Sequence, residues 1–239
     1  MLIWDEEKHH SFINVVCMHC GITVKVPVYC GNRFCKVCSY PRRQRIRDRL
    51  TWLIANSQSP AGMRLKMITL AMKNQPLLGP MIKHLVKSFR RMRQTSLWKK
   101  TFWGGAFVIE VTGCEGSWHA HIHAVGFSDY IPWEKLRNKW SDISGSQSVY
   151  IENVTPKKAV YYVSKYLSKQ DSLEPSLRED LNEALKKCRL FQPIGKWHSL
   201  SRDYRAPQKL CRNCKHPASF MPQDILYAKL YSGSKWEYS

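Results

Sequence analysis

Short apolar runs in the middle of the chain predict the strands of a buried sheet. Leu65–Met72 (LKMITLAM) is mainly apolar and has a length that suits one buried strand. Ala106–Thr112 (AFVIEVT) and His119–Phe127 (HAHIHAVGF) are two further strand-like runs, and the turn-rich segment Gly113–Ser117 separates them. Two such runs joined by a short turn predict an antiparallel hairpin.

Apolar residues at helical spacing occur between these runs. The segment Pro80–Arg93 predicts a helix with a basic outer face, because its apolar residues recur every three or four positions, at Met81, Leu85, Phe89 and Met92. The later segments predict a helix at Trp133–Trp140, a strand at Val149–Val154 and a helix from Pro156 to about Ser168. These segments therefore mix predicted strands with predicted helices.

Turn-forming residues divide the chain into regions. Ser57–Gly62 (SQSPAG) is rich in such residues and predicts a linker. We therefore expect a small zinc-binding module with a basic helix over residues 1–56 and the main domain over residues 62–205. Residues 206–239 are expected to form a C-terminal tail, which carries a second cysteine-rich segment.

The charge of the chain indicates an anionic partner. Lys and Arg total 38 against 18 Asp and Glu, a formal net charge of +20, which favours nucleic acid. On charge alone, a basic structural or ribosome-associated protein is an equal alternative. Two basic segments are predicted to contact DNA phosphates, through Arg42, Arg43, Arg45 and Arg47 in the first and Arg90, Arg91, Arg93, Lys99 and Lys100 in the second. Either segment alone is also consistent with a solvated helix face.

Neither a secretion signal nor a membrane span is expected. Residues 1–14 lack a basic stretch followed by an apolar run, and no window approaches the roughly 18 apolar residues of a membrane helix. We therefore expect a cytoplasmic protein without a membrane partner. Its nine cysteines would stay reduced there, which favours metal binding over disulfides.

Five of the cysteines lie close together near the start of the chain. Cys17 and Cys20 form one C-x-x-C pair, Cys35 and Cys38 form another, and fourteen residues separate the pairs. This spacing is close to that of a four-thiolate Zn²⁺ site, and a structural Zn²⁺ would stabilise so short a module. Cys30 is an alternative for one of the four ligands, and three histidines also compete, namely His9, His10 and His19.

A second cysteine pair lies near the end of the chain. Cys211, Cys214 and His216 provide three ligands without an obvious fourth. This segment forms either a second zinc site or a loop.

Three alternating histidines predict a catalytic metal site. Alternate strand residues point to one face, so the imidazoles of His119, His121 and His123 converge. Such a cluster is hard to bury without a ligand. Glu110, on the preceding strand, is either the third ligand or a surface carboxylate, and His119 competes with it. Mixed ligation suits Mn²⁺ or Mg²⁺ acting on a phosphate oxygen, whereas imidazoles alone would also accept Zn²⁺.

Two tyrosines are candidate nucleophiles. Tyr162 and Tyr166 are four residues apart and therefore share one face of the predicted helix. A tyrosine pair at this spacing usually only packs, but the histidines make chemistry the favoured interpretation. A phenol needs a cation to stabilise the charge that develops on a phosphate under attack, and Lys165 and Lys169 are candidates for that role.

The order of these motifs resembles that of the HUH endonucleases, specifically the rolling-circle replication initiators of small bacterial plasmids. The resemblance extends from about Cys17 to Arg202 and is carried by Ile68–Ala71, Glu110–Thr112, Trp118–His123 and Tyr162–Lys169. The cysteine segment Cys30–Cys38 is also similar to one that precedes the nuclease domain in those initiators and in related transposases.

This resemblance implies an α+β fold, with a central antiparallel sheet and flanking helices. The histidine strand would lie at the centre of the sheet, and the tyrosine helix would pack nearby. It implies that His121 and His123 hold the catalytic ion and that Tyr166 forms a 5′-phosphotyrosine bond with the strand it cuts. Tyr162 stands where many plasmid initiators have glutamate, and resembles the second tyrosine of single-stranded DNA phage initiators. In the first-strand motif, Ala71 stands where these initiators commonly have a second threonine. The implied partners are origin DNA and the host helicase and polymerase.

Two alternatives remain at this point. One is a single-strand DNA transposase with the same site, which the cysteine segment allows. The other is a non-catalytic zinc-containing nucleic-acid-binding protein, which leaves the converging histidines unexplained.

Overall fold

The computed structural model describes residues 11–28, 32–168, 175–206, 210–217 and 219–223. The chain divides into two compact units. The smaller unit consists of Met1–Tyr40 and Ala206–Ser239, and the larger unit is Pro41–Arg205. The described residues form eight strands, in two antiparallel sheets, and seven helices, which confirms the predicted α+β class.

A five-stranded antiparallel sheet with the order β6-β3-β5-β4-β7 is the centre of the larger unit. Its strands are β3 (Arg64–Ala71), β4 (Phe102–Cys114), β5 (Ser117–Ser128), β6 (Val149–Asn153) and β7 (Gln192–Gly195). Strands β4 and β5 form the predicted hairpin, and the histidine strand β5 is the middle one of the five.

Two long helices cover one face of this sheet. They are α1 (Lys36–Ala55) and α5 (Pro156–Ser168). Leu53 of α1, Val108 of β4 and Val163 of α5 belong to one buried apolar cluster. Val108 pairs directly with the histidine at position 123, so this face of the sheet is the one that carries the histidine side chains.

A second pair of helices, α2 (Leu78–Met92) and α4 (Trp133–Ser144), packs together. Phe89 of α2 meets Phe107 of β4 edge to face, with ring centroids 4.8 Å apart. Phe107 alternates with Val108 along β4, so α2 lies on the sheet face opposite the histidines. The two faces are therefore both covered by helices.

Several short elements of the larger unit were not predicted from the sequence. They are β7 and three helices, α3 (Ser96–Thr101), α6 (Pro175–Ala184) and α7 (Lys196–Leu200). Helix α3 begins after Thr95, whose hydroxyl accepts a hydrogen bond from the backbone N–H of Trp98 at 3.2 Å. None of the described helices is long and apolar enough to span a membrane.

The basic segment after the cysteines lies in the larger unit, which differs from the predicted boundaries. We expected it to belong with residues 1–56, but the larger unit begins at Pro41. Leu50, Leu53 and Ile54, in the C-terminal half of α1, are buried in the core of that unit. These apolar side chains need a large apolar surface to pack against, and the sheet provides it.

The smaller unit contains a three-stranded antiparallel sheet of order β2-β1-β8. Its strands are β1 (Phe12–Cys17), β2 (Thr23–Pro27) and β8 (Phe220–Pro222). Residues 206–239 were expected to form a separate tail, but β8 pairs with β1 from Val15↔Pro222 to Cys17↔Phe220. The C-terminal segment is therefore part of the same unit as the N-terminal hairpin.

Candidate active site

Strands β4 and β5 bring three potential metal ligands together. His121 and His123 lie two residues apart on β5, and Glu110 of β4 is the direct pairing partner of His121. The ligand atoms of these three residues all lie within 4.8 Å of one another. Glu110 is 1% exposed and His123 is 3% exposed, so two of the three ligands are shielded from water.

A threonine on β3 orients one of the histidines. Thr69 pairs with His123 across the sheet, and its Oγ1 lies 2.9 Å from Nδ1 of the imidazole. The other ring nitrogen, Nε2, lies 2.7 Å from Oε2 of Glu110. Because a partner on one imidazole nitrogen fixes the direction of the other, Thr69 keeps Nε2 directed at the group of ligands.

This set of donors fits a divalent cation. Two imidazoles and one carboxylate match the mixed ligation expected for Mn²⁺ or Mg²⁺, and Zn²⁺ also accepts it. His119, the competing third ligand, lies outside the group of Glu110, His121 and His123. Its ring packs at a tilt against that of His121, with centroids 4.2 Å apart.

The ring of Tyr166 lies directly on the His123 imidazole. The two rings are 4° from parallel, and their centroids are 3.5 Å apart. Burial, and then the charge of Glu110, raises the pKa of Tyr166 to about 12. The phenol is therefore protonated at neutral pH, and it needs positive charge beside it to act as a nucleophile.

Tyr162 lies one helical turn before Tyr166, with ring centroids 5.9 Å apart. The ammonium group of Lys158 is 5.3 Å from the centroid of the Tyr162 ring, and it donates a hydrogen bond to Glu152 at 2.7 Å. Lys158 thus places a positive charge beside the Tyr162 ring, and the Glu152 carboxylate partly neutralises that charge.

The two lysines predicted to assist the tyrosines are placed differently. Lys165 is exposed on α5. Lys169 lies outside the described residues. The ammonium of Lys158, which was not predicted to take part, lies against a tyrosine ring of the same helix.

The predicted DNA-contacting residues of α1 differ in their exposure. Arg45 and Arg47 are exposed, whereas Arg42 and Arg43 are partly buried. The side chains of Arg45 and Arg47 are therefore accessible to a DNA phosphate.

Most of the predicted DNA-contacting residues of the second basic segment are exposed. Arg90 and Arg91 are exposed and line an open depression of about 440 Å³ together with Gln94 and Thr95. Two further exposed cations lie on α3, namely Lys99 and Lys100.

Arg93 belongs to the packing of α2 against the sheet. Its guanidinium lies 5.3 Å from the Phe89 ring centroid and 5.9 Å from that of Phe107, and burial lowers its pKa. This geometry is typical of a cation that stacks on aromatic rings.

The cysteine cluster in the structure differs from the predicted set of zinc ligands. Cys17 and Cys20 lie with Cys211 and Cys214, and the four sulfur atoms are all within 4.8 Å of one another. Cys35 and Cys38 were predicted as the second pair of ligands, but they lie outside this group. Cys30 lies outside the described residues. The correction has a simple cause, since the pairing of β8 with β1 carries the C-terminal pair to the end of β1.

Sequence reasoning assigned no role to Thr69 or Lys158. The signal for Thr69 was its position as a hydroxyl residue within the otherwise apolar run of β3. The signal for Lys158 was its position four residues before Tyr162, which places both side chains on one face of α5.

Comparison with known protein families gives a match. A sequence profile of a family described as "Replication protein" matches residues 22–213, which is most of the 239-residue chain. Neither the curated proteins nor the solved structures contain a match.

Proposed function

Because the chain belongs to the replication protein family, which supports a role as a replication initiator, we propose that it starts rolling-circle replication by cutting one DNA strand. In this proposal Tyr166 becomes joined to the 5′ phosphate at the cut. The observation that carries it is the parallel contact of the Tyr166 ring with His123, which itself belongs to a three-residue group of metal ligands.

The cation is proposed to be Mn²⁺ or Mg²⁺, held by Glu110, His121 and His123. When bound, it would withdraw charge from a non-bridging oxygen of the scissile phosphate. The residues around it have separate tasks. Thr69 directs His123 toward the ligand group, and α5 holds Tyr166 against the same imidazole.

The proposed reaction transfers a phosphoryl group from a 3′ oxygen of DNA to the phenolic oxygen of Tyr166. The phenolic oxygen of Tyr166 bonds to phosphorus, and the bond between phosphorus and the 3′ oxygen of the preceding nucleotide breaks. The phenolic proton is released to solvent, and the departing 3′ oxygen takes up a proton. The products are a 5′-phosphotyrosine link and a free 3′ hydroxyl, which the host polymerase can extend as a primer while the host helicase separates the strands.

Tyr162 is proposed as the second nucleophile. It shares a helix face with Tyr166, and the Lys158 ammonium lies against its ring. A second phenol would let a new cut be made while the first tyrosine is still attached to DNA. The reverse of the first step would then reseal the strand.

The DNA is proposed to be held by exposed cations, which supply affinity without reading sequence. These cations are Arg45, Arg47, Arg90, Arg91, Lys99 and Lys100. Tyr150, on β6, adds a ring near the site. It is 57% exposed and pairs with Thr69 of β3. Exposed aromatic rings of this kind stack on bases of single strands.

Covalent capture from a random library tests this function with no assumption about the origin sequence. The purified chain is incubated with random single-stranded DNA and MnCl₂, denatured, and assayed for protein–DNA adducts that survive. We expect an adduct on Tyr166, identified by mass spectrometry, with a shared sequence in the captured DNA. The adduct should need the added metal.

Single substitutions provide the controls. Tyr166→Phe should remove most of the adduct, and the double change of Tyr162 and Tyr166 should remove all of it. Tyr161→Phe is the matched control, because Tyr161 is 61% exposed on the same helix, and it should react like the wild type. Full adduct formation by the double variant would show that neither tyrosine is the nucleophile. DNA binding without any adduct would instead support a non-catalytic binding protein.

A further inference from the structure

We propose that Cys17, Cys20, Cys211 and Cys214 bind one Zn²⁺ ion, so that a metal joins the two ends of the smaller unit. The Sγ atoms of Cys17 and Cys214 are 4.0 Å apart, and those of Cys20 and Cys211 are 3.8 Å apart. Tetrahedral Zn²⁺ with Zn–S bonds of about 2.3 Å separates its sulfur ligands by about 3.8 Å. The four thiols therefore already have the spacing of the site.

The first C-x-x-C pair lies in a tight turn at the end of β1. The backbone N–H of Cys17 donates to the carbonyl of Ile22 at 2.9 Å, and the N–H of Gly21 donates to the carbonyl of Cys17 at 2.8 Å. Gly21 has a φ of 72°, in the left-handed region. This arrangement turns both thiols of the pair to one side.

The second pair lies in a turn with the same hydrogen bonds. The N–H of Cys211 donates to the carbonyl of His216 at 2.8 Å, and the N–H of Lys215 donates to the carbonyl of Cys211 at 3.0 Å. Lys215 occupies the position equivalent to Gly21 and has a φ of 59°. Among the described residues it is the one non-glycine with a positive φ.

The equivalence of the two turns is the strongest argument for a shared ligand. Two segments without sequence similarity beyond their C-x-x-C spacing adopt one backbone geometry and face each other with their thiols. At Lys215 the chain accepts a conformation that side chains disfavour in order to complete the second turn. A metal bound by two equivalent pairs of thiolates explains both the matching turn geometry and the positive φ of Lys215.

The small core of this unit also favours a metal. Among its described residues, the buried apolar side chains are those of Val15, Val16, Cys17, Phe34, Cys38 and Cys211. Half of these are cysteines, and two of the cysteines are proposed ligands. So few apolar side chains stabilise a three-stranded sheet poorly, whereas a structural Zn²⁺ contributes directly to folding.

Two histidines lie beside the four thiols and define a competing ligand set. The rings of His19 and His216 stack with centroids 3.5 Å apart, and their ligand atoms lie within 4.8 Å of the Cys214 sulfur. Both histidines are exposed. Four thiolates form the closed set typical of structural zinc, so we place the histidines outside the coordination sphere.

Thiol protection in the full-length chain tests the ligand set without any mutation. The zinc-loaded protein is treated with N-ethylmaleimide before and after zinc is removed by a chelator, and each cysteine is followed by mass spectrometry. We expect all four proposed ligands to be protected only while zinc is bound. Cys114, which is exposed, should react equally in both states. Equal reactivity of Cys211 and Cys214 with and without zinc would overturn the proposal.

Zinc content of variants provides the second measurement. Cys211→Ser should contain one equivalent of zinc less than the wild type, and Cys114→Ser should match the wild type. Cys211→His retains a ligand, so it should recover zinc and shift the visible absorption of the Co²⁺-substituted protein. Recovery by histidine but not by serine excludes a simple folding defect. Loss of zinc in His216→Ala, with normal zinc in Cys211→Ser, would support the histidine set instead.

Discussion

At the scale of single residues, one hydrogen bond decides how an imidazole faces the ligand group. Thr69 Oγ1 lies 2.9 Å from Nδ1 of His123, and the opposite nitrogen is directed at Glu110. The Thr69 hydroxyl would thus act on the proposed cation site through His123. Its effect should therefore be confined to the affinity for the cation.

Thr69→Val removes the hydroxyl and keeps the shape of the side chain. We expect the Mn²⁺ concentration for half-maximal adduct formation to rise by about 10–100-fold, the usual cost of losing such an outer partner of a metal ligand. Thr69→Ser should restore most of the affinity. Thr112→Val is the control, because Thr112 pairs with His119 and lies outside the ligand group. An unchanged Mn²⁺ requirement in Thr69→Val would remove this role from Thr69.

The residues of the site were predictable where a local pattern specified them. Alternation along one strand placed His121 and His123 together, and a tight hairpin brought Glu110 opposite His121. The proposed zinc ligands were not predictable in the same way. A C-x-x-C spacing shows that two thiols face one side, but the identity of the second pair depends on which strands meet. Cys35 is near in sequence, whereas Cys211 is near in space.

At the scale of elements, the C-terminal end of α2 and the helix α3 carry the exposed charge of the second basic segment. Arg90 and Arg91 are exposed there, while Arg93 is stacked on the rings of Phe89 and Phe107. One basic run in sequence thus divides into cations that can meet a phosphate and one that stabilises packing.

Changing Arg90 and Arg91 together to Gln should weaken binding to single-stranded DNA through lost phosphate contacts. If each arginine contacts one phosphate, the slope of log K against log salt should become shallower by about 1.4. The measurement is a fluorescence anisotropy titration at several salt concentrations. The control changes Lys139 and Lys186 to Gln, because these lysines, whose side chains are 45% and 71% exposed, pair with Asp142 and Glu183. Equal effects in both variants would indicate a general charge effect.

Elements with strong periodicity were predictable, and weakly patterned ones were not. The predicted helix from Pro156 to Ser168 has the bounds of α5, because a proline start and regular apolar spacing specify it. Strand β7, with the sequence QPIG, shows no alternation and contains Pro193 and Gly195. Its pairing with β4 provides the regularity that its sequence lacks.

At the scale of the whole molecule, the two units should respond differently to the loss of zinc. The proposed thiolate site lies in the smaller unit, and the histidine site lies in the larger one. Zinc removal should therefore leave the five-stranded sheet intact.

Hydrogen exchange measured by mass spectrometry checks this expectation. After zinc is chelated, amides of β1, such as those of Val15 and Val16, should lose protection by at least tenfold. Amides of β5, such as those of Ile122 and Ala124, should exchange at an unchanged rate, because they lie in the middle of the large sheet. Unchanged protection in β1 would mean that zinc does not stabilise the smaller unit. Restoring Zn²⁺ should reverse the effect.

The separation of 197 residues between Cys17 and Cys214 has a consequence for biosynthesis. A ribosome delivers β1 long before it delivers the segment that completes its sheet, so the nascent chain carries two unsatisfied thiols throughout elongation. Every strand of the five-stranded sheet is by then available to fold. Capture of the proposed Zn²⁺ would thus follow synthesis of the five-stranded sheet, and chains released before Cys211 would lack two of its four proposed ligands.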